Sequence, residues 1–141
     1  KNRQKQVPIA PALIRKTAKR ILEELGLQNP ELSILLLNDR QIAPLNKRYL
    51  QRTGPTDVIS FPMHDGAVPR VQPTLLGDVV ISVATAQRQA QLRGASLAAE
   101  IAVLLIHGIL HLLGYDHEAS PGKAKKMRAR EKEILRKISR Q

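Results

Sequence analysis

Apolar positions recur along this chain in three rhythms, and each rhythm marks a different kind of element. Ile9, Leu13, Ile14, Ala18, Ile21, Leu22 and Leu25 fall at helical spacing, with Arg15, Lys16, Lys19 and Arg20 mostly between them. That pattern predicts an amphipathic helix ending at Gly26. After Pro30 the run Leu32 to Leu37 is short, mostly apolar and closed by Asn38-Asp39, as expected of a strand buried on both faces. Asn38 or Asp39 then caps a second helix running towards Tyr49, and Pro44 blurs its start because an interior proline removes a helical hydrogen bond. A strand is expected within Gly54 to Pro62. Residues 62 to 76, punctuated by Pro62, Gly66, Pro69 and Pro73, read as a loop or irregular hairpin.

Leu76 to Ser82 reads as the next strand, and Val83 to Leu92 as a helix that Gly94 ends. Ser96 caps a central helix from Leu97 to Leu113, apolar on nearly every face and therefore a core element. Pro121-Gly122 separates it from a final basic helix whose thin apolar stripe is Met127, Ile134, Leu135 and Ile138. Helix, strand, helix, two strands and then helices is the order of an α+β fold, a small mixed β-sheet packed with helices. With 141 residues and 43% hydrophobic content, the chain is long enough for one core and short for two. A single domain over residues 1–141 is expected, with residues 1–8 and 139–141 as flexible basic ends.

Charge adds a partner to this picture. The net charge is +11, and it gathers at the two ends of the chain. Residues 1–20 carry seven basic groups and no acid, and residues 121–141 carry nine against Glu131 and Glu133. Such fields attract polyanions, of which nucleic acid is the commonest in a cytoplasm, although a charged surface also serves solubility alone. Tyr49, Phe61 and Tyr115 are the only aromatic residues, too few for a base-stacking platform, so recognition is expected to rest on phosphates and RNA shape. The absence of cysteine fits a reducing compartment. Ile101 to Leu113, the longest apolar stretch, is interrupted by two histidines and is shorter than a membrane span. A soluble, cytoplasmic protein with no membrane partner follows as an expectation. No secretory signal is visible, although the first residue is Lys1 rather than Met.

The central helix also carries the candidate chemistry. His107 and His111 are four residues apart, so their imidazoles lie on one helical face within reach of a single ion. Gly114 can turn the chain back and bring His117 towards them. Three neutral nitrogens suit Zn2+, one per chain, and a three-residue ligand set leaves a position for water. His64, alone in the preceding loop, reads as a surface residue rather than a ligand. The spacing of His107, His111, Gly114 and His117 is also that of metzincin peptidases, but the glutamate that serves those enzymes as general base is replaced here by Gly108. Glu100, seven residues before His107, is suited either to orienting a neighbour or to the dipole at the helix start.

The string HGILHLLGYDH at 107–117 resembles the signature of the YbeY family of zinc endoribonucleases. Further likenesses are Leu45-Asn46 with Tyr49, Pro55 to Pro62, and Leu76 to Ser82, so the resemblance covers roughly residues 30–118. It implies a single-strand-type endoribonuclease acting in ribosomal RNA maturation and ribosome quality control. The implied partners are ribosomal RNA, the small ribosomal subunit and an Era-type GTPase. In the family a catalytic arginine follows the tyrosine, and that position is Leu50 here. Arg52, in a loop free of helical phase, is the expected substitute, with Arg48 and Arg88 as competitors. Asp116 is a candidate proton acceptor or partner of a histidine, or simply a turn residue. Two other readings stay open: a zinc peptidase or other hydrolase with its base elsewhere, and a non-catalytic ribosome-associated protein whose zinc is structural.

Overall fold

Eight of the nine positions from Leu75 to Val83 are apolar or small, and this stretch forms the middle of the sheet in a computed structural model that describes residues 1–27, 29–63, 75–115 and 120–139. The elements in chain order are α1 (Pro11–Glu24), β1 (Glu31–Leu37), α2 (Asp39–Leu50), β2 (Val58–Pro62), β3 (Leu75–Ser82), α3 (Val83–Arg93), α4 (Leu97–Leu112) and α5 (Pro121–Ser139). The sheet order is β1-β3-β2. β1 runs parallel to β3, with Ile34 opposite Val79 and Leu36 opposite Ile81. β2 runs antiparallel on the other side, with Ile59 opposite Val80. This is the α+β fold expected, with a small mixed sheet and a buried central helix.

Because side chains alternate across a strand, β3 feeds two separate cores. Val79 and Ile81 join the main one, with Ile14 and Ile21 of α1, Leu105 and Ile109 of α4, and Met127 and Ile134 of α5. Val80 joins a smaller cluster on the opposite face with Leu37, Ile42 and Ile59, beneath α2. α4 approaches the sheet tightly at Gly108. A Cβ there would lie 2.8 Å from Val79 Cγ1 and 3.2 Å from Ser60 Oγ, so the absence of a side chain sets how near the helix approaches. Ser60 Oγ uses that proximity to donate to the Gly108 carbonyl at 2.9 Å.

The expectation for β1 needs correction. β1 is not buried on both faces: Leu36 and Leu37 are, while Glu31 and Ser33 are exposed. Its place at the edge of the sheet is the reason: Leu32 and Ile34 pack on the main core from one face, while Glu31 and Ser33 on the other are exposed among the described residues. Residues 1–3, within the segment expected as a flexible basic end, lie along that edge. Leu36 N–H donates to the Lys1 carbonyl at 2.8 Å, Arg3 N–H donates to the Leu36 carbonyl at 2.9 Å, and Val7 is buried. Unpaired strand edges attract hydrogen-bonding partners, and this segment supplies one locally. The second helix starts where expected, with Asn38 as its cap, and carries Pro44 in its interior. The Asn38 side chain accepts from Gln41 N–H at 2.8 Å, and the Gln41 side chain accepts from Asn38 N–H at 2.9 Å. This reciprocal cap offsets the bond lost at Pro44.

Candidate metal centre

The apolar length of α4 fixes it in the core, and its phase then brings His107 and His111 out at one side. Their rings meet edge to face, with centroids 4.7 Å apart and planes at 72°. Both open on a cleft of about 370 Å³ along β2, whose lining also includes Leu50, Arg52, Asp57 and Ser60. His117 and Asp116 lie outside the described residues, as does His64. Among the described residues no group of three or more histidine, cysteine or carboxylate side chains is placed to hold a metal ion. The two imidazoles are nonetheless a fitting start for one, being nitrogen donors on a single helical face at the mouth of a cleft.

Arg52 reaches the same cleft through its backbone. Gln51 ends α2 in the left-handed conformation, with φ 58°, which reverses the chain. Buried Asn46 then holds the loop at two points: its carbonyl accepts from Arg52 N–H at 3.3 Å, and its Nδ2 donates to the Gly54 carbonyl at 2.8 Å. Leu50, at the family's arginine position, lines the cleft as well. Arg48 is exposed and lies over the Tyr49 ring, 5.4 Å from its centroid. Arg88 is engaged elsewhere, in an ion pair with Asp39 at 2.7 Å and a hydrogen bond to Thr85 Oγ1 at 3.0 Å. Asp39 also accepts from Ser82 and Thr85. Burial works to raise the Asp39 carboxyl, but these hydrogen bonds and the Arg88 charge outweigh it and hold the group below its ordinary value.

Two carboxylates near the cleft have fixed partners. Asp57 accepts from Val58 N–H at 2.7 Å and from Gln89 Nε2 at 3.3 Å, which ties the cleft's loop to α3. Glu100, almost wholly buried, takes Arg93 Nη1 on its two oxygens at 2.9 and 3.1 Å. Its role is therefore to join the end of α3 to the start of α4. The sequence reading missed Glu131 of α5, whose Oε1 lies 3.2 Å from His107 Nδ1. A signal was present: Glu131 follows buried Met127 by four residues and precedes buried Ile134 by three, so it lies on the core-facing stripe of an otherwise basic helix.

Fold and cleft together describe a small α+β protein with two histidines on one face of a core helix, opening on a cleft. The sequence model of the family Endoribonuclease YbeY matches residues 1–139. Among similar proteins, Endoribonuclease YbeY of Geobacter metallireducens is 44% identical over 99% of this chain and 94% of its own length. That of Aquifex aeolicus is 48% identical over 89% of this chain and 82% of its own. The solution structure of TM1509 from Thermotoga maritima shares the fold, with a TM-score of 0.64 and 24% identity over 92% of this chain and 83% of that one. The chain belongs to the Endoribonuclease YbeY family. Among the described residues, no single helix is long and apolar enough to cross a membrane.

Proposed function

We propose that this chain, an endoribonuclease by family, hydrolyses phosphodiesters of ribosomal RNA or its precursors with one zinc ion held by His107, His111 and His117. The observation that carries this reading is the opening of the His107–His111 pair and Arg52 on one cleft. A bound zinc supplies a Lewis acid and a water whose pKa falls to about 7. Arg52 contributes a planar, permanently charged fork that can hold phosphate oxygens and favour the charge that develops on them. Asn46 limits where that fork can go by fixing the backbone of its loop. Ser60 and Gly108 hold α4 against β2, so the imidazoles keep their distance from the opposite wall. For Asp116 the proposed role is to take a proton or to orient a histidine.

A peptidase of the metzincin form, with its base at position 108, draws little support. A glutamate at 108 would have its Cβ against Val79 and Ser60, so the tight contact at this position leaves no room for the base that metzincins place there. RNA attraction is supported by the net charge of +11. The place of action we propose is the cytoplasm, with the small ribosomal subunit and an Era-type GTPase as partners in ribosomal RNA maturation and quality control. The test is cleavage of structured ribosomal RNA, with zinc content measured in parallel. Native protein should hold one zinc per chain and cut, and His111→Ala should lose both properties. Zinc-dependent cleavage of casein without cleavage of RNA would reverse the assignment.

A further inference from the structure

Glu131 is out of character with the helix that carries it. Exposed positions of α5 are mostly basic, yet this carboxylate lies on the side facing the core and its Oε1 approaches His107 Nδ1 to 3.2 Å. The two side chains are only 23% and 27% exposed, so the contact is partly shielded from water. A carboxylate oxygen accepts hydrogen bonds and does not donate them, so the contact requires the imidazole proton on Nδ1. A neutral ring held in that way carries its lone pair on Nε2, at the opposite corner, and can no longer rotate freely. Carboxylates that accept from the second nitrogen of a ligand histidine set its tautomer and raise its donor strength in metal sites generally.

We propose that Glu131 is a positioning residue for the metal centre, holding His107 as the Nδ1–H tautomer so that Nε2 is the nitrogen presented to a divalent cation. The inference rests on His107 being a ligand, as read above. It gives α5 a part in the chemistry: the helix packs on α4 through Met127 and Ile134 and, between those two anchors, fixes the orientation of one imidazole. A purely structural contact between the helices would affect stability alone. A positioning contact also sets the tautomer and the affinity for metal.

Metal-free protein carrying 15N-labelled histidine reports the tautomer of each ring through two-bond 1H–15N correlation spectra, and competition with a chromophoric chelator gives the zinc affinity. In the native chain His107 should be protonated on Nδ1. Glu131→Ala should release it towards the Nε2–H form and weaken zinc binding about 10- to 100-fold. Glu131→Gln, which keeps an acceptor oxygen, should restore the tautomer and recover most of the affinity. A native His107 found as the Nε2–H form overturns the assignment without recourse to any variant. So does a folded Glu131→Ala protein with unchanged tautomer and unchanged zinc affinity, while leaving the proposed zinc-dependent cleavage intact. A native chain that takes up no zinc overturns this assignment and the zinc reading together.

Discussion

Gly108→Ala adds one methyl group where the packing leaves no room for it, and two opposing effects set the outcome. The new Cβ would lie 2.8 and 3.2 Å from the two methyl carbons of Val79 and 3.2 Å from Ser60 Oγ. Val79 is wholly buried and β-branched, so it cannot swing aside at low cost. Overpacking of this kind costs about 1–3 kcal/mol. Against it, alanine is favoured over glycine inside a helix by about 1 kcal/mol. The expected result is a net loss of roughly 0–2 kcal/mol, which for a domain of this size lowers Tm by about 3–4 °C per kcal/mol. The decisive measurement is a double-mutant cycle by thermal and urea unfolding. Val79→Ala alone should cost about 2 kcal/mol through its lost methyls and the space they leave. In that background Gly108→Ala should stabilise, giving a favourable coupling of about 1–3 kcal/mol. If Gly108→Ala stabilises the native protein by the full helix-propensity gain and the cycle is additive, α4 is not pressed against β3 at this point and the steric case against a glutamate there fails.

Arg52→Ala should slow RNA cleavage about 10- to 1000-fold at saturating RNA with zinc retained, while Arg48→Ala and Arg88→Ala leave the rate near native; an unaffected Arg52→Ala enzyme places the phosphate-holding charge elsewhere. Acid should expose the contribution of Asp39. Its native carboxyl is held below the ordinary 3.8, so it stabilises the fold fully above about pH 4 and loses that effect as pH falls through the native value. Asp39→Asn should accordingly be less stable at neutral pH and decline less steeply in acid, and parallel acid-unfolding profiles for the two proteins would contradict this.

The elements most legible in the sequence are those whose signals are local. Ser96 accepts from Ala99 N–H and Gly94 is left-handed, so a cap and a terminator at the start of α4 could be read one residue at a time. The i, i+4 spacing likewise placed His107 and His111 on one face without knowledge of the sheet. The burial of β1 could not be read in this way, because an apolar run looks the same at the edge of a sheet as at its centre. Nor does the sequence show that Lys1 and Arg3 hydrogen-bond to a strand more than thirty residues away. Glu131 is hard to see among its basic neighbours, because charge counting enters it only as one of two acids in the tail, whereas the register of Met127 and Ile134 turns this carboxylate towards a histidine on another helix. Pro44 blurs the start of α2 in the sequence, although a reciprocal cap can start a helix firmly enough to carry an interior proline.

The apolar residues divide unequally between the two faces of the sheet, so the two walls of the cleft rest on different clusters. The histidines stand on α4, within the large core that joins α1, α4 and α5 to β3. Arg52 follows α2, which rests on the small cluster of Leu37, Ile42, Ile59 and Val80. Segments with little buried surface open at a fraction of the free energy of global unfolding. The arginine proposed to hold phosphate therefore follows a helix on the smaller cluster, the histidines proposed to hold metal stand in the larger one, and amide hydrogen exchange is expected to be faster around α2 than in α4.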